Sequence, residues 1–109
     1  MKTYLTEQNE WIRLSAHRAK VGLDCNAVKG DVVFIELPVI GLHVQKGQPC
    51  ATVESIKAVS EVHSPVDGVI SDVNDAVFDA PDVITQKDTW LFTVDFEGKA
   101  DTSEWTIKN

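Results

Sequence analysis

The chain has 109 residues, of which 43% are hydrophobic and 25% charged, the usage of one small globular domain over residues 1–109 and not of a disordered segment. Its formal charge of −7 and pI near 4.7 have the wrong sign for nucleic acid or an anionic membrane as partner. Neither an apolar run of membrane-spanning length nor a basic-plus-apolar leader is present, so the expectation is a cytoplasmic protein.

In chain order, Ile12 and Leu14, then Ala19, Val21 and Leu23, give short alternating runs, and Val32 to Leu37 is an almost continuous apolar run of strand length. Asp24 is placed to cap a turn through Ala27 and Val28 that ends at Gly30. Pro38-Val39-Ile40-Gly41 returns as Pro65-Val66-Asp67-Gly68, a weak repeat that predicts two matching strand–turn units related by a quasi-twofold. Asp79-Ala80-Pro81 reads as a cap with proline in the first turn. Further on, Trp90, Phe92, Val94 and Phe96 share one face of the clearest strand, and Leu91, Thr93 and Asp95 the other. Asp101 with Glu104 three residues later imitates a capping box and predicts a last helix of little more than a turn. Many short strands with few helical pieces make the class mainly β, a barrel or sandwich.

The most informative stretch lies between two of these strands. Ala51, Val53 and Ser55 alternate with Thr52 and Glu54, and Ala58, Ser60 and Val62 alternate with Val59 and Glu61. Only Ile56 and Lys57 remain for the turn. A purely structural two-residue hairpin favours Asn-Gly, Asp-Gly or a glycine, because the primed turns need positive φ. An isoleucine beside a lysine at the tip suggests a surface that another protein reads; the alternative is that Ile56 folds back onto the core beside an ordinary solvated lysine.

Other chemistry is sparse. His17, His43 and His63 have no short ligand spacing, and Cys25 and Cys50 are too far apart for a CxxC site. A zinc site from His43, Cys50 and His63 is the strongest metal candidate and is disfavoured, so no metal is expected. The cysteines read as small buried residues in a reducing compartment, without a structural disulfide. Trp11, Trp90 and Trp105 read as core or core-edge residues.

Glu54-Ser55-Ile56-Lys57-Ala58 resembles the lipoylation motif of the H protein of the glycine cleavage system. The likeness continues upstream in Gly30-Asp31-Val32-Val33-Phe34-Ile35-Glu36-Leu37-Pro38 and downstream in Ser64-Pro65-Val66-Asp67-Gly68-Val69-Ile70 and Val73-Asn74-Asp75-Ala76. Glu10-Trp11-Ile12 is similar to the family's His-Glu-Trp entry strand, so the resemblance runs from about Tyr4 to about Phe96. Biotin carriers have methionines on both sides of their lysine, and the lipoyl domains of 2-oxoacid dehydrogenases usually carry Asp before it and an Ala/Pro-rich linker after it; Ile56 and Ala58 fit neither.

The resemblance implies a barrel-sandwich hybrid with the lysine hairpin at one end, and a non-catalytic carrier with lipoate covalently bound to Lys57. Recognition by the modifying lipoate ligase or lipoyltransferase falls to Glu54, Ser55, Ile56 and Ala58, with Glu54 matching the family's acidic recognition residue or else a solvated strand glutamate. Glu10 and Glu61 match residues near where the loaded arm is sheltered. The implied partners are the pyridoxal-phosphate glycine decarboxylase, the aminomethyltransferase and dihydrolipoamide dehydrogenase, and a freely diffusing monomer is expected. The chain departs from the family at Gln8 and Asn9 in place of Ser-His, in a shorter turn around Asn26, in the loop Gln86 to Thr89, and in the C-terminal helices. These departures leave a second reading open, a lipoyl relay that donates lipoate to 2-oxoacid dehydrogenases. A third, a non-carrier interaction module or small enzyme on the same fold, lacks a chemical constellation to support it.

Overall fold

Period-two alternation is realised as strands of two antiparallel sheets in a computed structural model, which describes residues 2–28, 30–85 and 89–108. The strands are β1 (Thr3–Leu5), β2 (Glu10–Leu14), β3 (Arg18–Leu23), β4 (Val32–Glu36), β5 (His43–Val44), β6 (Pro49–Ser55), β7 (Val59–His63), β8 (Gly68–Val73), β9 (Trp90–Asp95) and β10 (Thr106–Lys108). The larger sheet has the order β10-β1-β2-β3-β9-β8-β5 and the smaller β4-β6-β7. Their inner faces share one core. Ile12, Ala19, Val21, Ile70, Phe92 and Val94 come from the larger sheet, and Val32, Ile35, Ala51, Val53 and Val62 from the smaller. The fold is therefore a β-sandwich, as the alternating runs predict, with the Lys57 hairpin projecting from the smaller sheet.

Helix is confined to α1 (Ala76–Asp79) and to 3₁₀ turns at Cys25–Ala27 and Pro81–Thr85. Asp24 caps the first turn as expected, its carboxylate accepting the Asn26 N–H at 3.2 Å. Pro81 opens the second, where Asp82 accepts the N–H of Val32 at 3.2 Å and ties that turn to β4. The loop expectation at Gln86 to Thr89 lies outside the described residues, except for Thr89.

The structure corrects or refines several expectations. Trp90 does not share a face with Phe92, because a β-bulge leaves Leu91 unpaired: Val21 faces Phe92 but the next residue, Gly22, faces Trp90. Leu91 is thereby driven into the core and Trp90 onto the outer face. The chain end is a strand and not a helix. Asp101 does accept the Ser103 N–H at 3.0 Å, but Glu104 reaches the Lys46 ammonium at 2.9 Å instead of folding back, and β10 then pairs with β1. In β4 the apolar run is split by a bulge, which buries Val32 and Ile35 and exposes Val33 and Phe34. The Pro-Val-x-Gly units are not equivalent: Val39 is exposed and Val66 buried, although β5 and β8, which follow them, are paired neighbours.

Cys25 and Cys50 are part-buried, not buried. Burial pushes the Cys50 thiol up to about 11. It stays protonated at neutral pH, so alkylation of Cys50 by iodoacetamide should be slow in the native protein and fast in urea, as quantified by peptide mass spectrometry.

Candidate functional site

The site is built from the tip of the β6–β7 hairpin. Ser55 N–H donates to the Ala58 carbonyl at 2.8 Å and closes a loop of two residues, Ile56 and Lys57. The turn does without the positive φ that a primed hairpin requires: among the described residues Asn9 is the one non-glycine with φ in that region. The Ser55 hydroxyl supplies the compensation. It accepts the N–H groups of Lys57 at 3.3 Å and Ala58 at 3.1 Å and donates to the Ala58 carbonyl at 3.2 Å. Removing it in Ser55→Ala should cost about 1 kcal/mol and loosen the tip, read as a lower urea midpoint and faster amide exchange at Lys57 and Ala58.

A second support comes from the chain entering β4. The Ile56 N–H donates to the Asp31 carbonyl at 3.0 Å. Gly30 has φ +78°, and a Cβ there would stand 3.2 Å from Ile56 Cγ1 and 3.5 Å from Lys57 Cγ. The glycine is thus favoured twice, for its backbone conformation and for the tight approach of the Ile56 side chain. Lys57 is exposed and forms none of the ion pairs seen among the described residues.

Around it, Ile56 is 65% exposed and so does not fold back onto the core. Phe34, Glu54 and Val59 are cross-strand partners on the outer face of the smaller sheet, and all three are exposed. Glu54 thus stands between two exposed apolar side chains, one row behind the turn. The recognition candidates Glu54, Ser55, Ile56 and Ala58 are therefore brought together with Lys57.

The two sheltering candidates are not equivalent. Glu61 is exposed on β7. Glu10 is only 3% exposed and crosses from β2 to the edge of β7, where its Oε2 accepts the His63 backbone N–H at 2.5 Å and faces His63 Nδ1 at 2.7 Å. Its Oε1 accepts the Thr6 hydroxyl at 3.0 Å. A buried carboxylate with three donors is a charge-assisted tie between the sheets. Glu10→Gln keeps one acceptor oxygen but turns the other into an N–H donor facing a donor, the Thr6 hydroxyl or the His63 N–H, and should lower stability by about 2 kcal/mol in urea denaturation. Beside this pair opens a cavity of about 290 Å³, walled also by Thr6, Lys46, Pro65 and Trp105.

The sequence model of the glycine cleavage H-protein family matches residues 3–108. The chain belongs to the glycine cleavage H-protein family. It is 36% identical over 108 residues to a glycine cleavage system H protein of Bartonella tribocorum, covering 94% of this chain and 88% of the relative. With one from Herpetosiphon aurantiacus the identity is 40% over 96 residues, covering 84% and 74%. The crystal structure of a glycine cleavage system H protein from Mycobacterium marinum superposes with a TM-score of 0.80 at 34% identity, covering 91% of this chain and 87% of that one.

Within this H-protein frame, Gly30 and His63 were not singled out for the site from sequence. Gly30 carries a signal, because it lies two residues before the strand beside the hairpin. His63 carries a weaker one: it lies two residues beyond Glu61 on the same side of β7, but its partner Glu10 is 53 residues away.

Proposed function

We propose that this chain is the lipoyl carrier of glycine cleavage, with lipoate joined through an amide to Nζ of Lys57. The observation that carries the reading is the braced, outward-facing tip: an exposed lysine amine without an ion-pair partner, on a turn held by Ser55 from within and by Gly30 and Asp31 from beside it. That arrangement fits the group, since a modifying enzyme must receive the amine, activate it and supply the acylating carbon. An exposed lysine is mostly protonated near neutral pH and needs that help.

When bound, the dithiolane supplies a disulfide that accepts a carbon fragment on sulfur and is restored by thiol–disulfide exchange. The residues of the chain contribute position and recognition. Ser55 fixes the turn, Glu54 offers a carboxylate between Phe34 and Val59 to the ligase or lipoyltransferase, and Glu10 and Glu61 lie on the β7 side where the arm rests. Glycine decarboxylase, the aminomethyltransferase and dihydrolipoamide dehydrogenase are its partners in turn, and tethering raises the effective concentration of the arm at each site. No helix among the described residues is long and apolar enough to cross a membrane.

The test is intact and fragment mass spectrometry of the protein purified from its lipoate-supplied host. A lipoyl mass on Lys57 supports the carrier. A biotin mass, or an unmodified Lys57 in cells that lipoylate other proteins, overturns it. With lipoylated protein in hand, faster glycine decarboxylation by the purified decarboxylase supports the glycine cleavage role, whereas no acceleration favours the lipoyl relay.

A further inference from the structure

The outer face of the larger sheet carries a local cluster of cations, Arg13, Arg18 and Lys20. Arg13 on β2 and Lys20 on β3 are direct cross-strand partners, and Lys20 in turn faces Thr93 on β9. Like charges placed directly opposite in a ladder repel. In a chain with seventeen acidic and ten basic residues, carboxylates are abundant, yet the ion pairs among the described residues include neither Arg13 nor Lys20.

Tryptophans hold the two cations instead. The Arg13 guanidinium lies 4.7 Å from the centre of the Trp11 ring, with its Nε donating to the Thr3 hydroxyl at 3.0 Å. The Lys20 ammonium lies 5.2 Å from the centre of the Trp90 ring. Trp90 is on this face because of the bulge at Leu91, and Trp11 closes over Gly22, where a Cβ would come within 2.4 Å of its indole. Both heads are thus oriented without being neutralised.

Between them runs a groove of about 380 Å³, completed by Arg18 and by Thr93. Arg18 is paired with Asp95 at 2.7 Å, and the Thr93 hydroxyl is bonded to Ser71 at 2.6 Å. Asp72 also stands on the rim, its Oδ1 accepting its neighbour's N–H from Val73 at 2.9 Å. Arg13, Arg18 and Lys20 stand against Asp72 and Asp95, so the groove keeps one net positive charge and, with the apolar surface of Trp90 beside it, is complementary to a negatively charged segment.

We propose that this groove is a docking site for an acidic segment of a partner protein, whose carboxylates sit at Arg13 and Lys20 and whose neighbouring apolar side chain covers Trp90. A long polyanion is disfavoured by the overall charge of −7, whereas a few carboxylates meet only the local field. The inner faces of the two sheets meet in the core, so this surface points away from the one that bears Glu54. A segment bound here leaves Lys57 accessible. The inference does not rest on Lys57 being modified.

The probe is a synthetic acetyl-Glu-Glu-Leu-Glu-Glu-amide peptide titrated into the full-length ¹⁵N-labelled protein, with the Gln-for-Glu peptide as control. Expected are saturable amide shifts confined to β2, β3 and β9, quenching or enhancement of Trp fluorescence, and weakening by salt. Arg13→Gln/Lys20→Gln should bind about ten-fold more weakly; relief of the like-charge pair and loss of the two ring contacts act on stability in opposite directions, so the variant's fold is checked by its amide spectrum. If the double variant does not fold, Lys20→Gln alone carries the comparison. Glu36→Gln, at an exposed position on β4 of the smaller sheet, should bind as the parent does. No saturable shift at millimolar peptide, shifts mapping elsewhere, equal binding of the Gln peptide, or tighter binding of inorganic phosphate or a short single-stranded oligonucleotide would overturn the proposal.

Discussion

Lys57→Arg is expected to abolish modification completely while leaving the fold intact. The guanidinium keeps the charge and most of the stem, but it holds its proton across the whole working pH range and so leaves no free amine to attack an activated acyl group. Lys57 is exposed and forms no ion pair among the described residues that its replacement would break, so stability in urea should stay within about 0.5 kcal/mol of the parent. The decisive comparison is mass spectrometry of both proteins from lipoate-replete cells. A lipoyl mass remaining on Lys57→Arg would place the attachment elsewhere, on one of the other lysines. A large loss of stability would instead give the ammonium a structural part that the geometry does not show.

Gly68→Ala is expected to have the largest effect on stability. A Cβ at Gly68 would stand 2.1 Å from the Asp95 carbonyl oxygen, 2.9 Å from Val94 Cγ1 and 3.0 Å from the Asp95 carbonyl carbon. Two of those three atoms are backbone of β9, a central strand, so relief requires the β8–β9 ladder to separate and not a rotamer to change. Overpacking of a core commonly costs 1–3 kcal/mol, and with rigid backbone as the obstacle a loss of about 3 kcal/mol or more is expected, read by urea or thermal denaturation. Gly22→Ala should be milder despite a 2.4 Å approach, because the obstructing atoms belong to the Trp11 side chain. Equal stability of Gly68→Ala and the parent would mean that β8 and β9 pair more loosely than the structure has them.

What was legible in the sequence follows the range of the interactions. Strict alternation in 51–55 and 58–62 located the hairpin and its two-residue tip, because the period of a strand is a local property. The bulge at Leu91 was not legible: Trp90, Phe92 and Val94 continue the alternation without interruption, and only pairing with β3 shows that one residue is skipped. The final strand was hidden by a local signal that tertiary contact overrides, since Glu104 is drawn to Lys46, 58 residues away. α1 escaped because four residues span barely one turn, too short for helical periodicity to register. For the same reason the site divides into a part readable from the motif, Glu54 to Ala58, and a part visible only in space, the glycine under the lysine stem and the His63 donors around Glu10.

The bond from Ile56 N–H to the Asp31 carbonyl has a mechanical consequence. A hairpin tip anchored only by its own two strands can rock about its base, and anything attached to it sweeps a cloud smeared by that rocking. Here a third chain segment is bonded to the tip from the side, which restrains that rocking and narrows the volume that a group carried on the tip would sweep.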